Sequence, residues 1–424
     1  MLTSVVGINW GDEGKGRMVD LLSAEYDVVC RYQGGSNAGH TVVNDRGKFV
    51  LNLLPVGILR DEPVNLMGNG MVIDIEHLFG EIDGLLEKGV KVSPNNLKIS
   101  DKAFLCLPIH KLQDIIEEDR LADKKYGSTR RGIAPAYGDK YMKKGLQIFD
   151  IIDSNTLEEK LKDIVDWKNL SLSGYGNYSP VDYKEMFDTL MKYRERLLPF
   201  VTNSSEFLKS AVKDGKNIMF EAQLGALRDV DYGIYPMTTS SNTIASYAPI
   251  GAGLPGAKID RTIGVMKAFS SCVGEGPFCC ELFGEEAAFL RETAGEYGAA
   301  TGRPRRVGGF DAVASRYGVE VQGADELAVT KLDILAYMDK IPVCVAYEID
   351  GKRTECFPSG DRLLRAKPVY EYLEGFKTDI STCRKVEDLP NNALKYVRYL
   401  EKTVNCPVKY LSVGPSRDDY LTLP

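Results

Sequence analysis

The chain has 424 residues, with 53 Lys and Arg against 60 Asp and Glu, for a formal net charge of −7. Hydrophobic residues make up 44% and charged residues 27%, a globular balance that excludes a disordered chain, and the acidic excess argues against a general nucleic-acid binder. No apolar run approaches the roughly 18 residues of a membrane span, the N-terminus lacks a basic and apolar leader, and nine scattered cysteines without a CxxC pair suit reduced thiols.

Residues 4–8 form a short apolar run of strand type. The turn Trp10-Gly11-Asp12-Glu13-Gly14-Lys15-Gly16 follows, and Met18, Val19, Leu21 and Leu22 then take helical spacing. Residues 26–30 read as a second strand, followed by a second glycine-rich turn over 34–40. Further strands are predicted at 49–54, 217–220, 262–266, 327–330, 341–347 and 408–411, and helices at 75–88, 111–121, 156–165, 183–198 and 392–404. Residues 145–215 are mostly helical and read as a helical subdomain within a single domain over 1–424. This alternation predicts an α/β fold with a large, mostly parallel central sheet flanked by helices. Ligands in such a fold sit beyond the carboxyl ends of the strands, where both glycine-rich turns fall.

Gly11-Asp12-Glu13-Gly14-Lys15-Gly16 suits a P-loop-like nucleotide site. Glycines let backbone N–H groups approach phosphate oxygens, the helix start adds partial positive charge, and Lys15 reaches a β- or γ-phosphate. The spacing departs from the standard P-loop, and Gly16 stands where a Ser or Thr would hold Mg²⁺, which leaves Asp12 as the nearest metal candidate. An ordinary strand–helix turn is the other reading. His40, among small polar residues in Asn37-Ala38-Gly39-His40-Thr41, suits either proton donation near a phosphate or a structural role. Thr330-Lys331-Leu332-Asp333 follows a strand and has the form of a guanine reader, in which the carboxylate accepts from N1–H and the 2-amino group and the Lys331 stem covers the base. Three arginines in Ala299-Ala300-Thr301-Gly302-Arg303-Pro304-Arg305-Arg306 suit capture of a small anion or a solvated basic turn.

Together these segments resemble the adenylosuccinate synthetase family. GDEGKG at 11–16, NAGHT at 37–41, LLPVGIL at 53–59, RRGIAPAY at 130–137, GIYPMTTSSNT at 233–243, ATGRPRR at 300–306, TKLD at 330–333, PVYE at 368–371 and SVGP at 412–415 carry the match along nearly the whole chain. The resemblance implies a ligase that forms adenylosuccinate from IMP and L-aspartate, cleaves GTP to GDP and phosphate through 6-phosphoryl-IMP, and uses one Mg²⁺ per subunit. It implies catalytic Asp12, Lys15 and His40, and Mg²⁺ on Asp12 and the Gly39 carbonyl. GTP falls to Gly11, Glu13, Gly14, Lys15, Gly16, Arg17, Gly39, His40, Thr41, Arg305, Lys331, Leu332, Asp333, Ser412, Val413 and Gly414. IMP falls to Asp12, Asn37, Ala38, Gly39, His40, Thr129, Lys143, Gln223, Thr239 and Arg303, and aspartate to Ala299, Ala300, Thr301, Gly302, Arg303 and Arg305. It further implies a cytoplasmic homodimer in which Lys143 reaches the partner subunit's IMP site.

Several positions depart from the family pattern. Lys143 stands for an arginine, and the run Phe220-Glu221-Ala222-Gln223-Leu224-Gly225 sets the IMP-contacting glutamine one residue early. Asn52 replaces a histidine, Cys272 an arginine, and Arg130 and Ala134 replace glycines. A relative acting on another purine monophosphate such as dGMP, or a GTP-binding switch module, are the alternative readings.

Overall fold

The computed structural model describes the chain apart from Asp45, Gly176, Asn177 and residues 299–301. Ten strands build the central sheet among the described residues: β1 (Leu2–Gly7), β2 (Val28–Arg31), β3 (Val64–Met67), β4 (Leu97–Ser100), β5 (Val201–Thr202), β6 (Ile218–Glu221), β7 (Arg261–Lys267), β8 (Glu326–Thr330), β9 (Val408–Ser412) and β10 (Tyr420–Thr422). Their order across the sheet is β10-β9-β8-β7-β1-β6-β2-β3-β4-β5. Every neighbouring pair is parallel except the terminal β9–β10 pair. Helices cover both faces of such a sheet, so its middle strands carry apolar runs. Val5, Val6, Val29, Ile263, Val265, Ala328 and Val329 are fully buried accordingly.

The parallel arrangement aligns the strands' carboxyl ends. Gly7 pairs with Val265, Val5 with Glu221, Glu221 with Arg31, and Lys267 with Thr330. One edge of the sheet therefore presents the ends of β1, β2, β6, β7, β8 and β9 together.

The structure redraws several predicted elements. The strand expected at 49–54 is Gly47–Leu51, which pairs antiparallel with His40–Asn44 in a separate hairpin. Residues 52–54 leave the hairpin because their three amides donate to the buried Glu81 carboxylate. The strand expected at 341–347 extends over Lys340–Ile349 and lies in a smaller sheet, against Lys367–Glu374, Lys352–Thr354 and Phe310–Asp311. β3 and β4 were not expected, nor were helices Ile133–Met142, Gly284–Ala294 and Ala312–Gln322.

Helices Leu157–Leu172 and Tyr183–Leu197 dominate residues 145–215. Leu161, Val165, Leu190 and Leu197 pack into the same apolar cluster as Val5, Val29 and Ile99 of the sheet. Some helix starts carry a side-chain cap. Asp74 accepts from His77 N at 3.3 Å, and Asn203 from Ser205 N at 3.1 Å. Among the described residues no helix is long and apolar enough to cross a membrane.

Candidate active site

β1 ends in a turn whose conformation is set by an internal carboxylate. Glu13 is 2% exposed, and its Oε1 accepts from Asn9 N at 3.1 Å and Gly11 N at 2.8 Å. Its Oε2 holds Lys15 Nζ at 2.6 Å. Gly7 makes room for this carboxylate, because a Cβ there would meet Leu224 O at 2.4 Å and Glu13 Oε2 at 2.6 Å. Thr330 Oγ1 donates to Glu13 O at 2.6 Å and ties the turn to β8. Asp12 occupies the left-handed region at φ 58° and stands exposed on the cavity wall. The first helix, Lys15–Leu22, starts directly behind it.

His40 faces this turn from the hairpin. Its Nδ1 lies 2.6 Å from Glu221 Oε1, and Glu221, fully buried at the end of β6, also accepts from Val56 N at 2.8 Å. With Nδ1 held by a carboxylate, Nε2 is the ring nitrogen left for the cavity. The helix start packs tightly on His40, since a Cβ on Gly16 would lie 2.9 Å from His40 Cβ.

Gln223 follows the end of β6, so its one-residue displacement falls in a loop rather than on a strand. Leu224 absorbs the extra step at φ 59°. The Gln223 amide lines the cavity, donates to Asn37 Oδ1 at 2.9 Å and accepts from the buried Arg31 guanidinium. The displaced glutamine thus meets the asparagine expected to share its ligand.

Opposite Asp12 is a charged cluster. Arg305 Nη2 lies 3.0 Å from Asp12 Oδ2, and its Nη1 lies 2.9 Å from Glu296 Oε2. Glu296 has no exposed surface and also pairs with Lys267 at 2.8 Å and Lys331 at 2.6 Å. Burial is the largest single influence at both ends of this network. It pushes the Lys267 ammonium down to about 8, against the pull of Glu296. It also opposes ionisation of Glu296, but the surrounding cations win and hold that carboxyl well below the usual range. Asp333 lines the same cavity, and burial pushes its carboxyl up.

The C-terminal turn closes this side. Arg17 donates to Ser412 Oγ at 2.9 Å and Gly414 O at 2.6 Å, and its guanidinium lies 4.4 Å from the Tyr420 ring centre. Gly414 lines the cavity, whereas Leu332 and Val413 are fully buried in the apolar cluster beneath it, and Ser412 is fully buried too.

These walls enclose a cavity of about 1240 Å³. Asn37, Ala38, Gly39, Thr41, Thr129 and Thr239 line it beside Gly14, Lys15, Gly16 and His40. Lys143 does not. It ends helix Ile133–Met142 at φ 61° and stands exposed. Arg303 approaches Glu275 at 3.8 Å. Ala299, Ala300 and Thr301 lie outside the described residues.

Asp12 supplies an exposed carboxylate and Gly39 a carbonyl on the same cavity wall, hard oxygen donors of the kind Mg²⁺ takes together with phosphate and water. Among the described residues no group of three or more His, Cys, Asp or Glu gathers as a ready-made cage. Mg²⁺ sites completed by substrate phosphates do not need one. The residues present therefore fit that ion. Glu221, Glu296, Lys267, Arg31 and Arg228 were not singled out as site residues from the sequence. Only Glu221 carried a signal there, its place in the run over 220–225.

A family model described as adenylosuccinate synthetase matches residues 4–421. The adenylosuccinate synthetase of Caldanaerobacter subterraneus subsp. tengcongensis is 44% identical over 423 residues, covering 100% of this chain and 99% of that protein. That of Halothermothrix orenii is 46% identical over 416 residues, covering 98% and 97%. The fully ligated adenylosuccinate synthetase structure from Plasmodium falciparum superposes with a TM-score of 0.93 at 32% identity, covering 100% of this chain and 99% of that one. The cyanophage S-2L succinoaminodeoxyadenylate synthetase, solved with dGMP and dATP, shares the fold at a TM-score of 0.63 and 18% identity, over 100% and 95% of the two chains.

Proposed function

This chain belongs to the adenylosuccinate synthetase family, and from that membership we propose how its residues divide the work. The reaction joins IMP to L-aspartate and cleaves GTP to GDP and phosphate, with GTP as co-substrate and Mg²⁺ required. Asp12 takes the N1 proton of IMP. The electron pair released moves to O6, which attacks the γ-phosphorus of GTP and expels GDP. The aspartate amine then adds at C6, loses a proton, and phosphate leaves with the C6–O6 bond. One hard substitution becomes two easier ones, because phosphate leaves far more readily than an oxide.

The observation that carries this reading is the position of Asp12. It is an exposed carboxylate at a strained turn, 3.0 Å from Arg305 and on one wall with Lys15 and His40. Arg305 orients the Asp12 carboxylate while Lys15 and the turn's amides hold phosphate. His40, backed by Glu221, stabilises charge developing at O6 and the transferring phosphoryl group. Asp12 and the Gly39 carbonyl would hold Mg²⁺ together with the phosphates, and the ion would supply neutralisation of phosphate charge there. Asn37, Gln223, Thr129 and Thr239 hold IMP. Lys331 and Asp333 read guanine, and residues 299–303 with Arg305 receive aspartate. The chain acts in the cytoplasm as a homodimer, with Lys143 reaching the partner's site. Lys143 lies outside its own chain's cavity, which supports that role in trans.

Purified protein with Mg²⁺, GTP, IMP and L-aspartate should release adenylosuccinate and GDP together, and sustained turnover should stop when aspartate is omitted. Asp12→Asn keeps the shape and removes the base. It should lower kcat by about 10²–10⁴ while GTP still binds. Activity within tenfold of the unsubstituted enzyme would remove Asp12 from the proton transfer.

A further inference from the structure

Arg228 sits in the turn after β6, five residues past Gln223, and is 7% exposed. Four hydrogen bonds leave its two terminal nitrogens. Nη1 donates to Met237 O and, at 3.2 Å, to Glu275 O. Nη2 donates to Val273 O at 2.6 Å and Cys272 Sγ at 3.0 Å. Those four acceptors belong to two loops, one leading to Thr239 and the other starting where strand Ser270–Cys272 ends. Both loops line the cavity through Met237, Thr238, Thr239, Val273 and Gly274. The Arg228 backbone joins in, since its carbonyl accepts from Thr239 N at 2.8 Å. One guanidinium fork therefore fixes the spacing of two cavity walls, a task suited to its planar and divergent donors.

Cys272 makes this possible. It is 2% exposed and pairs across the two-stranded sheet with Arg306, whose own guanidinium is bonded to Glu281 and Gly276 O. An arginine at 272 would stand between Arg306 and Arg228 and occupy the space that the Arg228 fork now fills. The small thiol yields that space and accepts one of the four bonds.

We propose that Arg228 is a positioning residue for the IMP side of the cavity, and that its guanidinium fills, from the neighbouring turn, the place where the family pattern has an arginine at 272. The two positions form an exchange pair, so one arginine belongs at either place but not at both. This rests on the assignment of Thr239 and Gln223 to IMP.

The test is a double-mutant cycle read through KM for IMP, KM for GTP, kcat and thermal midpoint. Arg228→Met should raise KM for IMP by about tenfold, with kcat and KM for GTP changed less than about threefold, the signature of lost substrate positioning. Cys272→Arg alone should raise KM for IMP comparably by crowding a second arginine into a filled site. The double variant R228M/C272R should return KM for IMP to within about threefold of the unsubstituted enzyme, a strong non-additivity. Arg228→Lys should behave like Arg228→Met, because one ammonium cannot serve two loops. An unchanged KM for IMP in Arg228→Met, or a double variant whose rise is the product of the two single rises, overturns the proposal. If Arg228→Met fails to fold, recovery of folded protein with near-normal KM in the double variant supports the exchange, and failure of both overturns it. An unsubstituted enzyme that makes no adenylosuccinate would instead overturn the parent reading, whatever the variants do.

Discussion

Two buried carboxyls show how position sets what a single residue does. Glu296 is ionised because three cations surround it. Removing one partner of a buried ion pair strands the others, at a cost of roughly 3–5 kcal/mol. Glu296→Gln should therefore lose stability of that order in urea unfolding, and it should also impair turnover by releasing Arg305 from beside Asp12. A loss below about 1 kcal/mol would mean that the cluster is not the brace described. Asp311 lies at the other extreme. Burial pushes its carboxyl from 3.8 up to about 6, although it caps helix Ala312–Gln322 by accepting from Ala314 N at 2.9 Å and also accepts from Tyr347 at 2.7 Å. The folded chain keeps this proton to higher pH than the unfolded chain does. Its stabilising share is thus complete below about pH 4 and is lost as pH rises through about 6. Asp311→Asn should match the unsubstituted protein near pH 4 and exceed it by up to about 3 kcal/mol at pH 7. Equal stabilities at both pH values would contradict that sign.

At the scale of elements, the active site is a contact between a helix start and a hairpin. Gly16→Ala places a methyl group 2.9 Å from His40 Cβ, so the ring must shift off Glu221. We expect kcat to fall by about 10–100-fold, together with a modest loss of thermal midpoint. A normal kcat would show that the His40–Glu221 contact is dispensable. Elements whose signal is local were legible in the sequence. The glycine-rich turn after β1, the TKLD turn after β8 and the apolar runs of β1 and β7 all carry their spacing within ten residues. Elements that depend on distant partners were not. β3 reads Val-Asn-Leu-Met, and the Nδ2 of its buried Asn65 donates to the carbonyls of Pro63 and of the distant Asn96. Helix Ala312–Gln322 packs Gln322 against Gly7 O at 2.9 Å, a contact no window contains. Glu296 and Arg228 were illegible for the same reason, since the cations and carbonyls that make them functional come from other segments.

At the scale of the molecule, the site joins both ends of the chain and, on our reading, two copies of it. Arg17 holds Ser412 and Gly414, while Arg417 lies 2.6 Å from Asp20. Lys143 lies outside its own cavity, and we propose that it serves the partner's. Mixing Asp12→Asn protein with Lys143→Ala protein should then restore activity, since each hybrid dimer carries one intact site. Full reassortment predicts about a quarter of the unsubstituted activity. No recovery after mixing would place Lys143 outside the partner's site.

The central place of β1 in the sheet also sets a timetable. Leu2 pairs with Ile218 on one side, and Thr3 with Arg261 on the other. At about 5–20 residues per second, a ribosome needs roughly 10–40 s after finishing β1 to supply β6. Through that interval this wholly buried strand, and the phosphate turn it carries, has no mate. Nascent chains stalled before residue 218 should consequently be strong clients of any chaperone waiting at the exit tunnel, and release should come in a step once β6 and β7 have emerged.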